Sequence, residues 1–155
     1  DRRFDAVISL FHVVSYQPAN SDLKAIFRTA ATHLKPEGIF LFDCWYGPTV
    51  LNEPPKVRIK RMENENILIT RICEPEMLPR ENGVIINYTV FIENKASGRI
   101  AQIQESHRMR YLFTPEVESL YEESGMQMIE SGEWMTNQDT ALDTFSVYFA
   151  GKKKV

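Results

Sequence analysis

The segment Phe4-Asp5-Ala6-Val7-Ile8-Ser9-Leu10-Phe11 is a nearly unbroken apolar run, which is typical of a parallel strand that is buried on both faces. Between Leu23 and Leu34 the apolar residues recur at intervals of three and four, which predicts a helix with one apolar stripe. Lys35-Pro36-Glu37-Gly38 ends that helix, and Ile39-Phe40-Leu41-Phe42 begins a second buried strand. Residues 1–46 therefore form a βαβ unit, and the fold class is α/β.

Polar and aromatic side chains follow both predicted strands. The first strand ends in a loop with Ser9, Phe11, His12 and Tyr16, and the second ends in a loop with Asp43, Cys44, Trp45 and Tyr46. Because ligands of open parallel sheets bind outside the carboxyl ends of the strands, we expect these side chains to line a functional site. The alternative is that Trp45 and Tyr46 only cap the core and that His12 is a solvated loop residue.

Residues 56–113 change to a period of two, which predicts four antiparallel strands in a meander inserted into the α/β frame. The breakers Gly47-Pro48 and Glu53-Pro54-Pro55 predict a connection without a helix before this insert. Residues 114–150 predict a last helix and a terminal pair of strands.

The fourth strand of the insert places Glu105 and His107 on the same face as several apolar residues. Burying both groups unpaired would be costly, so they either pair with each other or with nearby cations, or line a cavity above the rim. The opposite face carries Arg108 and Arg110, which are either solvated or available to an anionic acceptor.

The composition of the 155 residues is that of an ordinary globular domain, with 43% apolar and 25% charged residues. A net charge of -3 and one short basic run at Lys152–Lys154 predict no nucleic-acid partner. No apolar run is long enough to cross a membrane. Cys44 and Cys73 have no spacing for a metal site or a disulfide framework, so we expect no metal and a cytoplasmic location.

These segments together resemble the second half of a class I S-adenosylmethionine-dependent methyltransferase. The run from Phe4 to His12, the turn at 34–38 and the strand after it are similar to the family's fourth strand, its helix and its fifth strand. The segment 107–126 is similar to the family's late strand, helix and following turn. Small-molecule members such as the nucleotide-sugar N,N-dimethyltransferases also have an aromatic-rich loop that leads into an antiparallel insert.

The resemblance implies a partial methyltransferase domain over residues 1–155, namely the carboxyl-terminal half of a Rossmann-like sheet with strands 4, 5, 7 and 6 of the family and an inserted antiparallel meander. It implies methyl transfer to a small-molecule acceptor, with three groups of site residues. These are the cofactor-binding residues Ser9, Leu10 and Phe11, the catalytic residues His12, Tyr16 and His107, and the substrate-binding residues Trp45, Tyr46, Glu105 and Arg110.

The family's signature is an acidic residue and a Gly-x-Gly loop after its first strand. None of the seven glycines of this chain forms such a loop. We therefore interpret the chain as a carboxyl-terminal fragment that is inactive alone and binds S-adenosylmethionine weakly. Its first strand is expected to self-associate or to pair with the missing amino-terminal half. A degenerate domain that serves as an interaction module is the main alternative. A nicotinamide-dependent dehydrogenase fits less well, because its second half would continue in parallel βαβ units.

Overall fold

The computed structural model describes residues 2–155, which form two compact units. Unit 1 extends to Pro54 and resumes over Arg110–Val155, and unit 2 is Pro55–Met109. In chain order the strands are β1 (Phe4–Ser9), β2 (Leu34–Tyr46), β3 (Arg58–Glu63), β4 (Ile67–Leu78), β5 (Gly83–Asn94), β6 (Ile100–Leu112), β7 (Met126–Glu133) and β8 (Ser146–Lys153). The helices are α1 (Asn20–His33), α2 (Gly47–Asn52) and α3 (Thr114–Glu123), with short 3-10 helices at Val13–Tyr16 and Pro79–Glu81.

The sheet of unit 1 has the order β1-β2-β8-β7. β1 lies parallel to β2, with Ser9 opposite Phe42, and β2 pairs with β8 in the antiparallel sense, with Phe42 opposite Phe149. β7 completes this sheet by antiparallel pairing with β8. The order agrees with strands 4, 5, 7 and 6 of the predicted fold, so the predicted fold class is confirmed.

An aromatic cluster fills the core of unit 1. The ring of Phe27 from α1 packs edge-on against the rings of Phe40, Phe42 and Tyr121 at centroid distances of 5.3, 5.5 and 5.0 Å. The buried Tyr121 hydroxyl lies 3.1 Å from the carbonyl oxygen of Phe40 and 3.2 Å from that of Phe149. Because one hydroxyl bonds to two adjacent strands, α3 is fixed against the middle of the sheet.

β1 is more exposed than its apolar run predicts. Ile8 is 64% exposed, Phe4, Asp5 and Ala6 are also exposed, and Val7 is only half-buried. The reason is that β1 pairs with β2 alone among the strands of residues 2–155. Side chains of β1, β2 and α1 border an open groove of about 380 Å³, lined by Phe4, Val7, Ser9, Ile26, Thr29, Ala30, His33 and Phe40.

Unit 2 is the predicted meander, in which β3, β4, β5 and β6 are successive neighbours. β4 and β5 form its longest antiparallel pair, with an unbroken register from Ile67 opposite Asn94 to Leu78 opposite Gly83. β6 continues past the boundary of the unit, and its last two residues pair in parallel with Trp45 and Tyr46 within unit 1.

The prediction that no helix follows β2 is wrong. Gly47–Asn52 form α2, and Pro48 lies in its first turn, where a missing N–H costs nothing. A Cβ on Gly47 would lie 2.6 Å from the ring of Phe113. The Gly-Pro pair therefore starts a helix under an aromatic ring rather than forming an irregular connection.

No helix within residues 2–155 is long and apolar enough to cross a membrane. The same residues contain no group of three or more side chains that could hold a metal ion.

Gly151→Ala should destabilise unit 1, because a Cβ at this position would lie 2.2 Å from the buried ring of Tyr121. Overpacking of this kind costs about 1–3 kcal/mol, and the hydroxyl of Tyr121, which donates its proton between two carbonyl oxygens, restricts the movement of the ring. The free energy of unfolding, measured by urea denaturation, tests this. Gly83→Ala in β5 is the matched control, since its nearest neighbour is 3.4 Å away; equal losses in the two variants would contradict the prediction.

Candidate functional site

The carboxyl ends of β1 and β2 lie side by side because the two strands are parallel and Ser9 is opposite Phe42. Residues 10–19 and residues 43–46 therefore meet at one edge of the sheet, which we call the rim. Such an edge is where open α/β sheets bind their ligands. The predicted convergence of the two segments is thus present in unit 1.

The rim loop contains two consecutive residues in the left-handed region, Phe11 with φ 63° and His12 with φ 59°. This conformation is uncommon outside glycine and is maintained only by surrounding contacts. The N–H of His12 donates to Oδ2 of Asp43 at 3.1 Å, and the N–H of Trp45 donates to Oγ of the buried Ser15 at 3.1 Å. These hydrogen bonds fasten the loop after β1 to the end of β2.

The imidazole of His12 is held by two groups from other strands. Its Nε2 lies 2.7 Å from Oγ of Ser146 in β8 and 3.3 Å from Oδ2 of Asp43 in β2. The ring also meets that of Trp45 edge-on at a centroid distance of 6.4 Å. Since the side chain remains 29% exposed, His12 is both fixed in position and reachable from solvent.

Burial lowers the pKa of His12 below its ordinary value of 6.5, and the charge of Asp43 opposes this shift. The imidazole is therefore mostly neutral at pH 7. A neutral imidazole has one ring nitrogen with a free lone pair, which is the form that accepts a proton.

Ser146, His12 and Asp43 do not form the nucleophilic triad of a hydrolase. In such a triad the carboxylate and the hydroxyl bind opposite ring nitrogens, so that one orients the ring while the other gives up its proton. Here both groups contact the same nitrogen, Nε2. The arrangement orients the imidazole but does not activate the serine.

Aromatic rings form one side of the rim. The ring of Trp45 lies 5.0 Å from that of Phe145, and the half-buried Tyr46 packs against the core. The predicted cofactor residues Ser9, Leu10 and Phe11 lead into the loop, where Phe11 is 82% exposed. Tyr16 ends the 3-10 helix of the same loop and is also exposed.

Cys44 is a buried thiol between Asp43 and Trp45. Its pKa is raised well above the ordinary value, first by burial and then by the charges of Asp43 and Glu116. A thiol that does not ionise is not a nucleophile, so Cys44 is a core residue of the rim.

The predicted residues Glu105 and His107 lie in unit 2. Nε2 of His107 is 3.4 Å from Oε2 of Glu105, and the imidazole meets the ring of Tyr88 edge-on at 5.7 Å. The pairing of these two groups with each other is therefore the observed arrangement.

Arg110 is buried, and the expectation that it is solvated or free for an anion is wrong. Its Nη1 donates to the carbonyl oxygen of Pro18 at 2.9 Å, and its Nη2 pairs with Glu116. The alternation of β6 did not predict this, because both faces of the strand are buried from Met109 to Leu112. Arg110 links the rim loop to α3.

Sequence reasoning placed Asp43 at the rim without a specific role, and it did not identify Ser15, Ser146 or Phe145. Asp43 is the first polar residue after the apolar run of β2, and this position is the signal that placed it at the rim. The two serines and Phe145 carry no such signal, since Ser146 reaches His12 across 134 positions of the chain.

Solved structures share this arrangement of strands and helices. An S-adenosylmethionine-dependent methyltransferase from Clostridium acetobutylicum is 17% identical with a TM-score of 0.78, over 100% of this chain and 60% of that one. The fold is that of the S-adenosylmethionine-dependent methyltransferases.

Two further methyltransferase structures agree. KedS8, a sugar N-methyltransferase from a Streptoalloteichus species, is 15% identical with a TM-score of 0.78, over 99% of this chain and 57% of its own. CalS10, an amino pentose methyltransferase from Micromonospora echinaspora, was solved with S-adenosylmethionine bound. It is 15% identical with a TM-score of 0.76, over 99% of this chain and 59% of its own. The chain thus spans less than two thirds of these methyltransferases. No family model and no curated protein matches it.

The titration midpoint of His12, followed by NMR, should lie below 6.5 because burial disfavours the imidazolium. In the range below about 6.5 the unfolded chain then binds more protons at this residue than the folded chain. Its contribution to the free energy of unfolding therefore falls as the pH decreases through that range.

Asp43→Asn removes the charge that raises the pKa of His12, so the midpoint should fall further in this variant. His12→Gln should remove this residue's share of the pH dependence of unfolding. A wild-type midpoint at or above 6.5 would show that the imidazole is not desolvated as described.

Proposed function

We propose that this chain is part of an S-adenosylmethionine-dependent methyltransferase that acts on a small-molecule acceptor. The observation that carries the proposal is the oriented, neutral imidazole of His12 at the rim of a methyltransferase fold. Similarity to sugar and amino pentose methyltransferases supports a small acceptor.

The side chains at the end of β1 have a chemistry that suits part of S-adenosylmethionine. The exposed apolar side chains of Ile8 and Phe11 flank the hydroxyl-bearing Ser9, a combination that suits a nucleoside and a short polar chain. Buried Asp43 has one oxygen, Oδ1, without a hydrogen-bond partner among residues 2–155. We propose that Ser9, Leu10 and Phe11 bind the cofactor, although the chain has no Gly-x-Gly loop to hold its carboxylate end.

The bound cofactor would supply an electrophilic methyl group, and the residues of this chain would position the acceptor and manage its proton. With the Nε2 proton of His12 directed toward Asp43, Nδ1 is the basic atom that takes the proton of the acceptor. Oδ2 of Asp43 then stabilises the imidazolium, and Ser146 keeps the ring from rotating. Alignment of the reacting groups can supply several kcal/mol more.

We propose that Trp45 and Tyr46 form the apolar wall of the acceptor site and that Tyr16 and His107 bind or deprotonate the acceptor. Glu105 would act together with His107, to which it is paired. Arg110 fits this site as a positioning residue rather than as an acceptor ligand, since Pro18 and Glu116 occupy its guanidinium.

In a catalytically active protein that contains this chain, His12→Ala should lower kcat roughly a hundredfold or more with little change in cofactor affinity. General base catalysis is typically worth about 10²–10⁴ in rate. Steady-state kinetics and calorimetry with S-adenosylmethionine measure the two quantities. Ser146→Ala, which keeps the base but loosens its orientation, should have the smaller effect.

His107→Ala should raise KM more than it lowers kcat if His107 only holds the acceptor. A His12→Ala enzyme with unchanged kcat and KM for its acceptor would remove His12 from the mechanism.

A degenerate methyltransferase domain that serves as an interaction module is the second candidate. We expect the chain alone to bind S-adenosylmethionine weakly and to be inactive under either hypothesis. Calorimetry on the longest natural form of the protein separates them, because only the enzyme needs tight cofactor binding.

We also propose that β1 pairs with another strand, supplied by a second copy or by an amino-terminal segment. The free edge of β1 adjoins an apolar groove, and Phe4 and Ile8 are exposed, which makes it a ready template for pairing. Analytical ultracentrifugation should show concentration-dependent association of this chain. Ile8→Lys should reduce it without loss of secondary structure, and a monomer at high concentration would contradict the proposal.

A further inference from the structure

The register of unit 2 sorts its charges between two faces. In antiparallel strands, residues directly opposite each other share a face. Arg58 is opposite Cys73, Cys73 is opposite Tyr88, and Lys60 is opposite Arg71. Arg58, Lys60 and Arg71 therefore lie on one face, which we call the basic face. All residues of β3, β4 and β5 are described by the structure, and these strands place no carboxylate on the basic face. The neighbouring strand β6 adds one carboxylate to this face, Glu105, which is paired with His107 beside Tyr88.

The opposite face of the same three strands is acidic. It carries four carboxylates and a single cation, namely Glu63, Glu74, Glu76, Glu93 and Arg61. A random distribution of surface charge would mix the two signs on each face. The charges of β3, β4 and β5 are therefore largely segregated by sign between the two faces.

The cross-strand pair of Lys60 and Arg71 is unfavourable as it stands. Like charges directly opposite each other in a sheet are destabilising, and nothing on the basic face of β3 to β5 neutralises them. Two other cations of unit 2 have acidic partners, since Lys95 pairs with Glu63 and Arg108 with Glu81. Among residues 2–155, Arg58, Lys60 and Arg71 form no ion pair.

Arg71 is held in place by an aromatic ring. Its guanidinium carbon lies 5.1 Å from the ring centroid of Tyr88, and that ring meets His107 edge-on at 5.7 Å. A guanidinium packed against a ring has fewer conformations to lose when its N–H groups bind an anion. The basic face thus combines one oriented guanidinium with two further cations.

We infer that the basic face binds a phosphate-bearing small molecule with at least two negative charges. Opposite Cα atoms in a sheet are about 4.5–5.5 Å apart, and residues two positions apart on a strand are separated by about 6.5 Å. Three cations within that area match a phosphate monoester or a diphosphate. The sequence suggested Arg108 and Arg110 as ligands for an anion, but in the structure their guanidinium groups form ion pairs with Glu81 and Glu116.

A small ligand fits the face better than nucleic acid does. Proteins that bind nucleic acid contact about 6–10 phosphates, whereas the basic face offers three cations in a chain of net charge -3. The inference does not depend on methyl transfer, because it concerns binding by unit 2 alone.

Titration of the 155-residue chain with inorganic pyrophosphate, followed by NMR, tests the inference. We expect saturable shifts of residues around Arg71 and Tyr88 with a dissociation constant of about 1 mM or tighter. Lys60→Ala and Arg71→Ala should each weaken binding roughly tenfold, as expected for the loss of one charge-assisted contact. Arg71→Lys, which keeps the charge but loses the planar fork, should give an intermediate loss.

Arg61→Ala is the matched control, since it removes the same charge from the acidic face. It should change the dissociation constant less than twofold. The inference is overturned if pyrophosphate causes no saturable shift, if Arg61→Ala weakens binding as much as Lys60→Ala, or if a single-stranded oligonucleotide binds much more tightly than pyrophosphate. The substituted side chains are exposed, and the NMR spectrum of each variant reports whether it is folded.

Discussion

The buried carboxylate of Asp43 is the group on which the geometry of the rim depends. Its Oδ2 accepts the backbone N–H of His12 and lies 3.3 Å from the imidazole of the same residue. An unpaired charge that is only 1% exposed would be strongly destabilising. The same contacts offset the cost of the left-handed conformations at Phe11 and His12, which is of order 1–3 kcal/mol each. The carboxylate and the loop therefore stabilise each other.

The aromatic core gives that carboxylate a rigid support. Asp43 follows Phe42 on β2, whose ring packs against Phe27 at 5.5 Å and Phe149 at 5.7 Å. Tyr121 bonds to the backbone of both β2 and β8, so the two strands that hold the imidazole cannot shift independently. Groups placed on strands in this way keep their separation better than groups on loops.

Local pattern was enough to predict the βαβ unit, the meander and the rim, because apolar periodicity and breakers report directly on strands and helices. It failed where neighbours remote in sequence decide the outcome. Pro48 is a breaker in isolation but begins α2 beneath Phe113. The strand pattern predicts Arg110 at the surface, but in the structure its guanidinium contacts Pro18 and Glu116. Ser146 is placed beside His12 only by the pairing of β8 with β2.

The imidazole of His12 is subject to two opposing effects, and their balance suits a base. Burial disfavours its charged form, whereas the charge of Asp43 favours it, and burial is the larger of the two. A group that is neutral before the reaction can accept a proton, and a nearby carboxylate makes the resulting cation less costly. Because one carboxylate both fixes the backbone of His12 and stabilises its charge, the strained conformation and the chemistry at this residue have the same structural origin.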